Sequence, residues 1–275
     1  MKAVLVFVFA LACVNASVLE ELQKLTASFT TPYIIKGEEA VPNSAPYIVS
    51  LSRKFKRHSH TCGGTIINKE WIVTAAHCIS KAVGMGVYAG LHERLQTSVP
   101  TAQHRQVDFG KVHSEYQGDV GPYDIALLHV SEPFEFNESV QPAVLPQHES
   151  IPQGNASLYG WGQTKAFVFS AAKTLQTVKT EIVDWDECKE ALPDSAPLDP
   201  SNVCSSSLGN GVSACNGDSG GPLVKEDANS PTELIGIVSW GYIPCGKANM
   251  PSIYTRVSAY IDWIVDIQSA YYKLF

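Results

Sequence analysis

Past its first sixteen residues this 275-residue chain has no apolar run approaching the ~20 residues that a helix needs to cross a bilayer, so no later membrane span is expected. It lacks a surplus of positive charge: 20 Lys and Arg stand against 27 Asp and Glu, a formal net charge of −7. Nothing therefore draws it electrostatically to nucleic acid or to an anionic membrane, and both partner classes are set aside. No cysteine sits in a C-x-x-C pair, the spacing of a structural zinc site, and no metal or other cofactor is expected. No internal repeat is visible, which removes solenoid architectures. What the chain does have is apolar residues, 45% of the total, enough for a sizeable core and too many for a disordered polymer.

The opening stretch MKAVLVFVFALACVNA places Lys2 ahead of an apolar run from Ala3 to Val14 and ends in small residues at Ala16, the pattern of a secretory signal peptide. Residues 1–16 are excluded from the fold, and the protein is expected to be secreted and extracellular, without a membrane anchor. Residues 17–33, SVLEELQKLTASFTTPY, are polar and cysteine-free, with a brief helical spacing at Leu19, Leu22 and Leu25; they read as a pro-segment or a tether. Cys13 falls in the signal, which leaves Cys62, Cys78, Cys188, Cys204, Cys215 and Cys245. Six cysteines in an oxidising compartment predict three disulfides, but they allow 15 pairings and the count alone does not choose among them.

From Ile34 onward, short apolar or alternating runs such as Tyr47 to Leu51, Trp71 to Ala75, Ile125 to Val130 and Leu234 to Trp240 are separated by Gly, Pro and Asn turns. Many short strands predict an all-β sandwich or barrel. The end of the chain differs. Val257, Tyr260, Ile261, Ile264 and Val265 follow the spacing of a helix with one buried face, and Ser258 is a candidate N-cap. Gln141 to Pro146, with two prolines in six residues, suits an extended link between two halves of about 110 residues each.

Three stretches carry the chemistry: Thr74-Ala75-Ala76-His77-Cys78, Asp124-Ile125-Ala126-Leu127-Leu128, and Gly217-Asp218-Ser219-Gly220-Gly221-Pro222. Together with Cys62-Gly63-Gly64, Gly160-Trp161-Gly162, Ser239-Trp240-Gly241 and Pro251-Ser252-Ile253-Tyr254, they resemble the chymotrypsin-like serine proteases over about 240 residues, from Ile34 to the terminal helix. The resemblance implies two six-stranded antiparallel β-barrels and a C-terminal α-helix. The protease domain would span 34–275, with barrels at about 34–145 and 146–257 and the helix at about 258–270.

A serine hydroxyl is a weak nucleophile at neutral pH, so it needs a base within hydrogen-bond reach and a third group that fixes the base's tautomer. By the resemblance, Ser219 attacks the peptide carbonyl, His77 shuttles the proton, and Asp124 orients the imidazole and stabilises its cation. Asp119, five residues before Asp124, competes for the acidic role but sits in a Gly-rich stretch that reads as a solvated loop. Glycines in the nucleophile motif let the backbone turn so that the amides of Gly217 and Ser219 face the developing oxyanion. His58, His104, His113, His129 and His148 match no motif and read as surface or packing residues.

Specificity and activation follow from the same likeness. Ser213 takes the base of the primary pocket, where trypsin-like members carry Asp; a Lys or Arg side chain there would be a buried unpaired charge. Gly241 leaves the entrance open, Ser252 stands where glycine is usual and makes the pocket shallower, and Asn216 lines the rim. Ser239, Trp240 and Gly241 would pair with substrate backbone as an added strand. Cleavage after Phe, Tyr, Leu or Met is expected, with Trp disfavoured. Ile34-Ile35-Lys36-Gly37 stands at the family's mature N-terminus, although Ile35 and Lys36 depart from its usual residues. Cleavage between Tyr33 and Ile34 would let the new amine pair with Asp218, and the aromatic Tyr33 invites a chymotrypsin-like activator or the protein itself. Ser50 and His60 fall where the family holds Asp218 before cleavage.

The resemblance also implies bridges Cys62–Cys78, Cys188–Cys204 and Cys215–Cys245. Where some relatives bind calcium, this chain reads Gly90-Leu91-His92-Glu93, and no metal is expected. Arg53-Lys54-Phe55-Lys56-Arg57 reads as a solvated hairpin tip or, by the resemblance, as a basic loop where some relatives bind macromolecular substrates, and Asn137-Glu138-Ser139 and Asn155-Ala156-Ser157 are N-glycosylation sequons. The function expected is a secreted zymogen of a digestive serine endopeptidase, a monomer acting on proteins or peptides and open to protein inhibitors. The alternatives are a catalytically silent binding or cascade protein on the same fold, and a narrow-task collagenolytic or venom protease.

Overall fold

The computed structural model describes residues 34, 37–55, 57–164, 170–206 and 211–274, without the side chains of Arg57 and Leu274. The expected signal peptide, the pro-segment and Tyr33 lie outside the described residues.

The apolar runs become strands of two antiparallel barrels. The first closes in the order β2 (Ile48–Lys54), β3 (Arg57–Ile66), β4 (Trp71–Thr74), β7 (Ala126–Val130), β6 (Gln103–Val112) and β5 (Gly86–Ala89), with β5 returning to β2. The second closes as β8 (Gly154–Gly160), β9 (Gln176–Val183), β10 (Asn202–Ser205), β13 (Ser252–Arg256), β12 (Glu233–Trp240) and β11 (Pro222–Lys225), with β11 pairing β8. Closure removes the exposed edges that an open sheet would present. Inward side chains such as Val49, Leu51, Ile72, Val87 and Leu128 fill the first barrel, and Leu158, Leu223, Ile235 and Tyr254 fill the second.

β1 (Glu38–Glu39) pairs with β9 of the second barrel, so the division expected near residue 145 is not a clean one: the first strand of the chain crosses to the far barrel. Gln141 to Pro146 does run between the two. Its Gln141 and Ala143 amides donate to Pro46 and Ile66 of the first barrel, and Val144 exchanges backbone bonds with Thr232 and Leu234 of the second.

The terminal helix is present with corrections. A 3₁₀ turn at Val257–Tyr260 leads into α2 (Ile261–Leu274). Ser258 does not cap it; its hydroxyl donates to the Ser150 carbonyl at 2.5 Å and accepts from Arg256 Nη1, while Arg256 Nη2 donates to Glu149 at 2.9 Å. Val257, Tyr260 and Ile264 are buried, while Val265 is half exposed and leaves the stripe, because the tighter opening turn rotates the face that follows. A second short helix, α1 (Trp185–Ala191), was not foreseen; Cys188 anchors it to β10 through a disulfide. Among the described residues no helix is long and apolar enough to cross a membrane.

Candidate active site

His77 lies in a 3₁₀ turn immediately after β4, and Asp124 immediately precedes β7, the neighbour of β4 in the barrel. That pairing brings together residues 47 positions apart. His77 Nδ1 donates to Asp124 Oδ2 at 2.8 Å, and the His77 backbone amide donates to Oδ1 at 2.9 Å. Ser239, at the end of β12 in the other barrel, donates its hydroxyl to the same Oδ2 at 2.6 Å, and Thr255 Oγ1 holds the Asp124 carbonyl at 2.8 Å. Asp124 is buried and all the groups on its carboxylate are donors, the environment of an ionised acceptor. A carboxylate on Nδ1 leaves the Nε2 lone pair of a neutral His77 free to accept a proton. Asp119 is exposed on the lip of the neighbouring cleft, where its Oδ1 accepts from the Val120 amide.

Close approach of two glycine turns brings the nucleophile motif to this pair. The Gly63 amide donates to the Ser219 carbonyl at 2.8 Å, and a side chain at Gly63 would meet Gly221 Cα at 2.8 Å. Next to Gly63, Cys62 is bridged to Cys78, which follows His77, so one disulfide ties the histidine turn to the strand that holds the serine turn. Ser219 borders a cavity of about 170 Å³, and His77 borders an adjoining cleft of about 240 Å³; Ser239 and Trp240 form part of both walls.

Of the residues expected at the pocket, Asn216, Ser219, Ser239, Trp240 and Gly241 line the cavity. Ser213 and Ser252 sit behind its wall. Ser213 Oγ is 3.1 Å from Ser252 Oγ, Ser252 Oγ accepts from the Ala214 amide at 3.3 Å, and Ala214 itself faces the cavity. Tyr242, Ile243 and Val238 also line it and Tyr116 lines the adjoining cleft, all missed from sequence because no motif marks them. The bridge Cys215–Cys245 joins two segments of the cavity wall, and all three disulfides follow the implied pairing.

Asp218 is fully buried, with Oδ1 accepting from the Gly162 amide at 2.8 Å and Oδ2 from the Cys215 amide at 2.9 Å. A Cβ at Gly160 or Gly162 would lie 2.0 or 2.3 Å from that carboxylate, the physical reason for Gly160-Trp161-Gly162. Burial pushes the Asp218 carboxyl up to about 7, the two amide bonds offsetting only part of the desolvation. Ile34 is fully buried in the second barrel's core with Leu158, Val178 and Tyr254. Ser50 and His60, expected against Asp218, do not touch its carboxylate: His60 Nε2 instead meets the Gly217 carbonyl at 2.9 Å.

In the loop where some relatives bind calcium, His92 donates to Glu39 at 2.8 Å and Glu93 pairs with Lys173 at 3.0 Å. The grouping of His77 with Cys62 and Cys78 offers no metal site, since both sulfurs are in the bridge. Asn137 and Asn155 are exposed, Asn137 in a turn where its Oδ1 accepts the Ser139 amide and Asn155 within β8.

Two antiparallel barrels with an Asp–His pair and a glycine-framed serine turn at their junction define the chymotrypsin-like serine proteases. A family model described as Trypsin matches residues 34–264, and the chain belongs to the trypsin family of serine proteases. It is 40% identical to Lectizyme of Glossina austeni over the whole length of both proteins. It is 34% identical to the venom peptide isomerase heavy chain of Agelenopsis aperta, over 84% of this chain and 98% of that protein. Transmembrane protease serine 9 of Rattus norvegicus is 36% identical over 86% of this chain, which corresponds to 22% of that larger protein.

Proposed function

We propose that this chain is a secreted serine endopeptidase, made as a precursor and activated by cleavage between Tyr33 and Ile34, that hydrolyses peptide bonds after Phe, Tyr, Leu and Met. The reading rests on one observation above the rest: behind the cavity wall next to Ser219 stand two neutral hydroxyls, Ser213 and Ser252, hydrogen-bonded to each other and not a carboxylate. A substrate ammonium or guanidinium buried there would have no counter-charge, which costs several kcal/mol, whereas an apolar side chain leaves water at no such penalty. A cavity of about 170 Å³ suits a medium to large side chain. A digestive role accords with so undemanding a pocket.

In this mechanism His77 Nε2 takes the Ser219 hydroxyl proton as Oγ attacks the substrate carbonyl, and the Gly217 and Ser219 amides receive the oxyanion. Asp124 carries the opposing charge for the imidazolium, itself steadied by Ser239. Collapse passes the proton from His77 to the departing amine and leaves an acyl group on Ser219. A water, deprotonated by His77, then hydrolyses that ester. Activation supplies a counter-charge for Asp218: the amine freed at Ile34 pairs with the buried carboxylate, a reading supported by a carboxylate that the neutral amides of Gly162 and Cys215 leave unbalanced.

The test is mass-spectrometric mapping of bonds cut in a denatured protein mixture by the mature chain from Ile34, with Ser219→Ala as control. Cuts after Phe, Tyr, Leu and Met that vanish in the control are expected. Cuts mainly after Lys or Arg refute the role of Ser213, and no cuts at all from matured protein favour a silent binding protein.

A further inference from the structure

Gly217 supplies one of the two oxyanion amides in the mechanism above, and glycine there, at φ +99°, gives its peptide planes wide freedom unless something holds them. Both flanking carbonyls are held. The Asn216 carbonyl accepts from the Gln163 backbone amide at 2.8 Å. The Gly217 carbonyl accepts from a side chain, His60 Nε2, at 2.9 Å, and that side chain is the end of a longer chain of bonds. His60 Nδ1 lies 2.8 Å from Ser50 Oγ, and Ser50 Oγ lies 3.0 Å from His58 Nε2.

The proton positions along this chain are forced. A carbonyl only accepts, so His60 carries its proton on Nε2 and presents a bare Nδ1. Ser50 must donate its single hydrogen to that Nδ1, and so can only accept from the other side. His58 therefore carries its proton on Nε2, and its Nδ1 is bare. His58 Nδ1 is buried without a hydrogen-bond partner, a position that suits a lone pair better than a stranded N–H donor. Neighbours hold both rings in place: His58 packs edge-on against Tyr88 at 4.4 Å, and His60 edge-on against Trp161 at 5.7 Å. Burial pulls both imidazoles down to about 4, with Arg94 and His104 adding to it at His58, and Arg94 and His58 adding to it at His60 against the opposing bond to the Gly217 carbonyl, so the neutral forms the chain needs persist across the working range of a neutral-pH enzyme.

We propose that His58 is a positioning residue of the catalytic machinery, fixing the proton direction of the chain His58–Ser50–His60 and thereby the Gly217–Asp218 peptide, which lies between the two peptide planes that present the Gly217 and Ser219 amides to the oxyanion. This deepens the endopeptidase reading and rests on it for its kinetic consequence. If His58 is removed, Ser50 is free to turn its hydrogen away, His60 can take the other tautomer, and the Gly217 carbonyl loses its donor.

The kinetic test compares the mature chain from Ile34 with its His58→Leu and His58→Gln variants on a peptide substrate with Phe before the scissile bond. Complete loss of an oxyanion donor costs ~10²-fold or more in kcat, so loosening one is expected to lower kcat by about 10-fold in His58→Leu with KM unchanged, since the bond matters in the transition state. In His58→Gln the amide nitrogen donates to Ser50 as Nε2 does, and most of kcat should return. Equal kcat in wild type and His58→Leu, or a Gln variant no better than Leu, overturns the proposal. A spectroscopic arm is independent of activity: ¹⁵N-histidine spectra of the Ser219→Ala mature chain should show His58 and His60 both protonated at Nε2, and His58→Leu should expose the His60 Nε2 proton to faster solvent exchange. An Nδ1-protonated His60, or exchange unaffected by His58→Leu, overturns the chain itself, whereas a correct spectrum from a wild type that cuts nothing refutes the endopeptidase reading instead.

Discussion

Asp218 offers the sharpest thermodynamic test. In the uncleaved chain its carboxyl is fully buried, bonded among the described residues to the neutral amides of Gly162 and Cys215, and raised from 3.8 to about 7 by burial. A carboxyl whose folded pKa lies above its unfolded one favours the folded state while protonated. The contribution is fully present below about 4 and is lost as pH climbs through about 7, because the unfolded chain sheds its proton first. At about 1.4 kcal/mol per pH unit the interval from 3.8 to about 7 sets a ceiling of about 4 kcal/mol on the stability lost between pH 4 and pH 8. Urea unfolding of the precursor, in a Ser219→Ala background that prevents self-cleavage, would be followed by tryptophan fluorescence at each pH and compared with an added Asp218→Asn. Asparagine does not titrate, so the two stability curves should converge as pH rises, the wild type losing its advantage over that interval. Parallel curves would refute the argument, for they would mean that Asp218 titrates alike folded and unfolded. The mature chain from Ile34 should lack the decline, since an ammonium beside the carboxylate reverses the sign of its shift.

Three further outcomes follow from named contacts. Ser252→Gly removes the hydroxyl that bonds Ser213 and the Ala214 amide, and the room gained behind the cavity wall should raise kcat/KM for Tyr and Trp relative to Leu by about 10-fold, read from matched peptide substrates. Ser239→Ala deletes the 2.6 Å bond to Asp124 Oδ2, and kcat/KM should fall by about 10-fold, the cost of one hydrogen bond to a charged group; an unchanged value would mean that the His77 bonds alone suffice to orient the carboxylate. Replacing Cys188 and Cys204 together by serine opens a loop with a sequence separation of 16, which should cost about 3 kcal/mol in unfolding free energy while leaving the cavity beside Ser219 and its substrate preference in place.

The sequence by itself determined the parts of this protein that depend on local pattern. Alternating apolar runs specify strands because successive side chains point to opposite faces, and so β2, β4, β7 and β12 fall where those runs lie. The short motifs around His77, Asp124 and Ser219 are equally local, since each answers to a turn or strand end that a few neighbouring residues can specify. The link at Gln141 to Pro146 was legible for the same reason, prolines and extended backbone being a nearest-neighbour effect. Tertiary structure decided what depends on residues far apart. β1 joins the second barrel because its backbone donors find β9, over 130 residues on, and nothing in Glu38-Glu39 announces that partner. Ser258 looks like a cap but is drawn to Ser150 and Arg256, stronger claims on its hydroxyl than a helix N-terminus one turn later. Gly160 and Gly162 are a bare motif in sequence; only packing shows that a methyl group at either would strike the Asp218 carboxylate. His58 matched no motif at all, and its place in a chain of hydrogen bonds to Gly217 exists only because β2 and β3 pair in register and lay Ser50 between two histidines. Local patterns are fixed by the geometry of neighbouring peptide units, whereas a hydrogen-bond partner across two barrels is chosen by which buried polar groups would otherwise go unsatisfied, and that is settled only when the whole chain has closed.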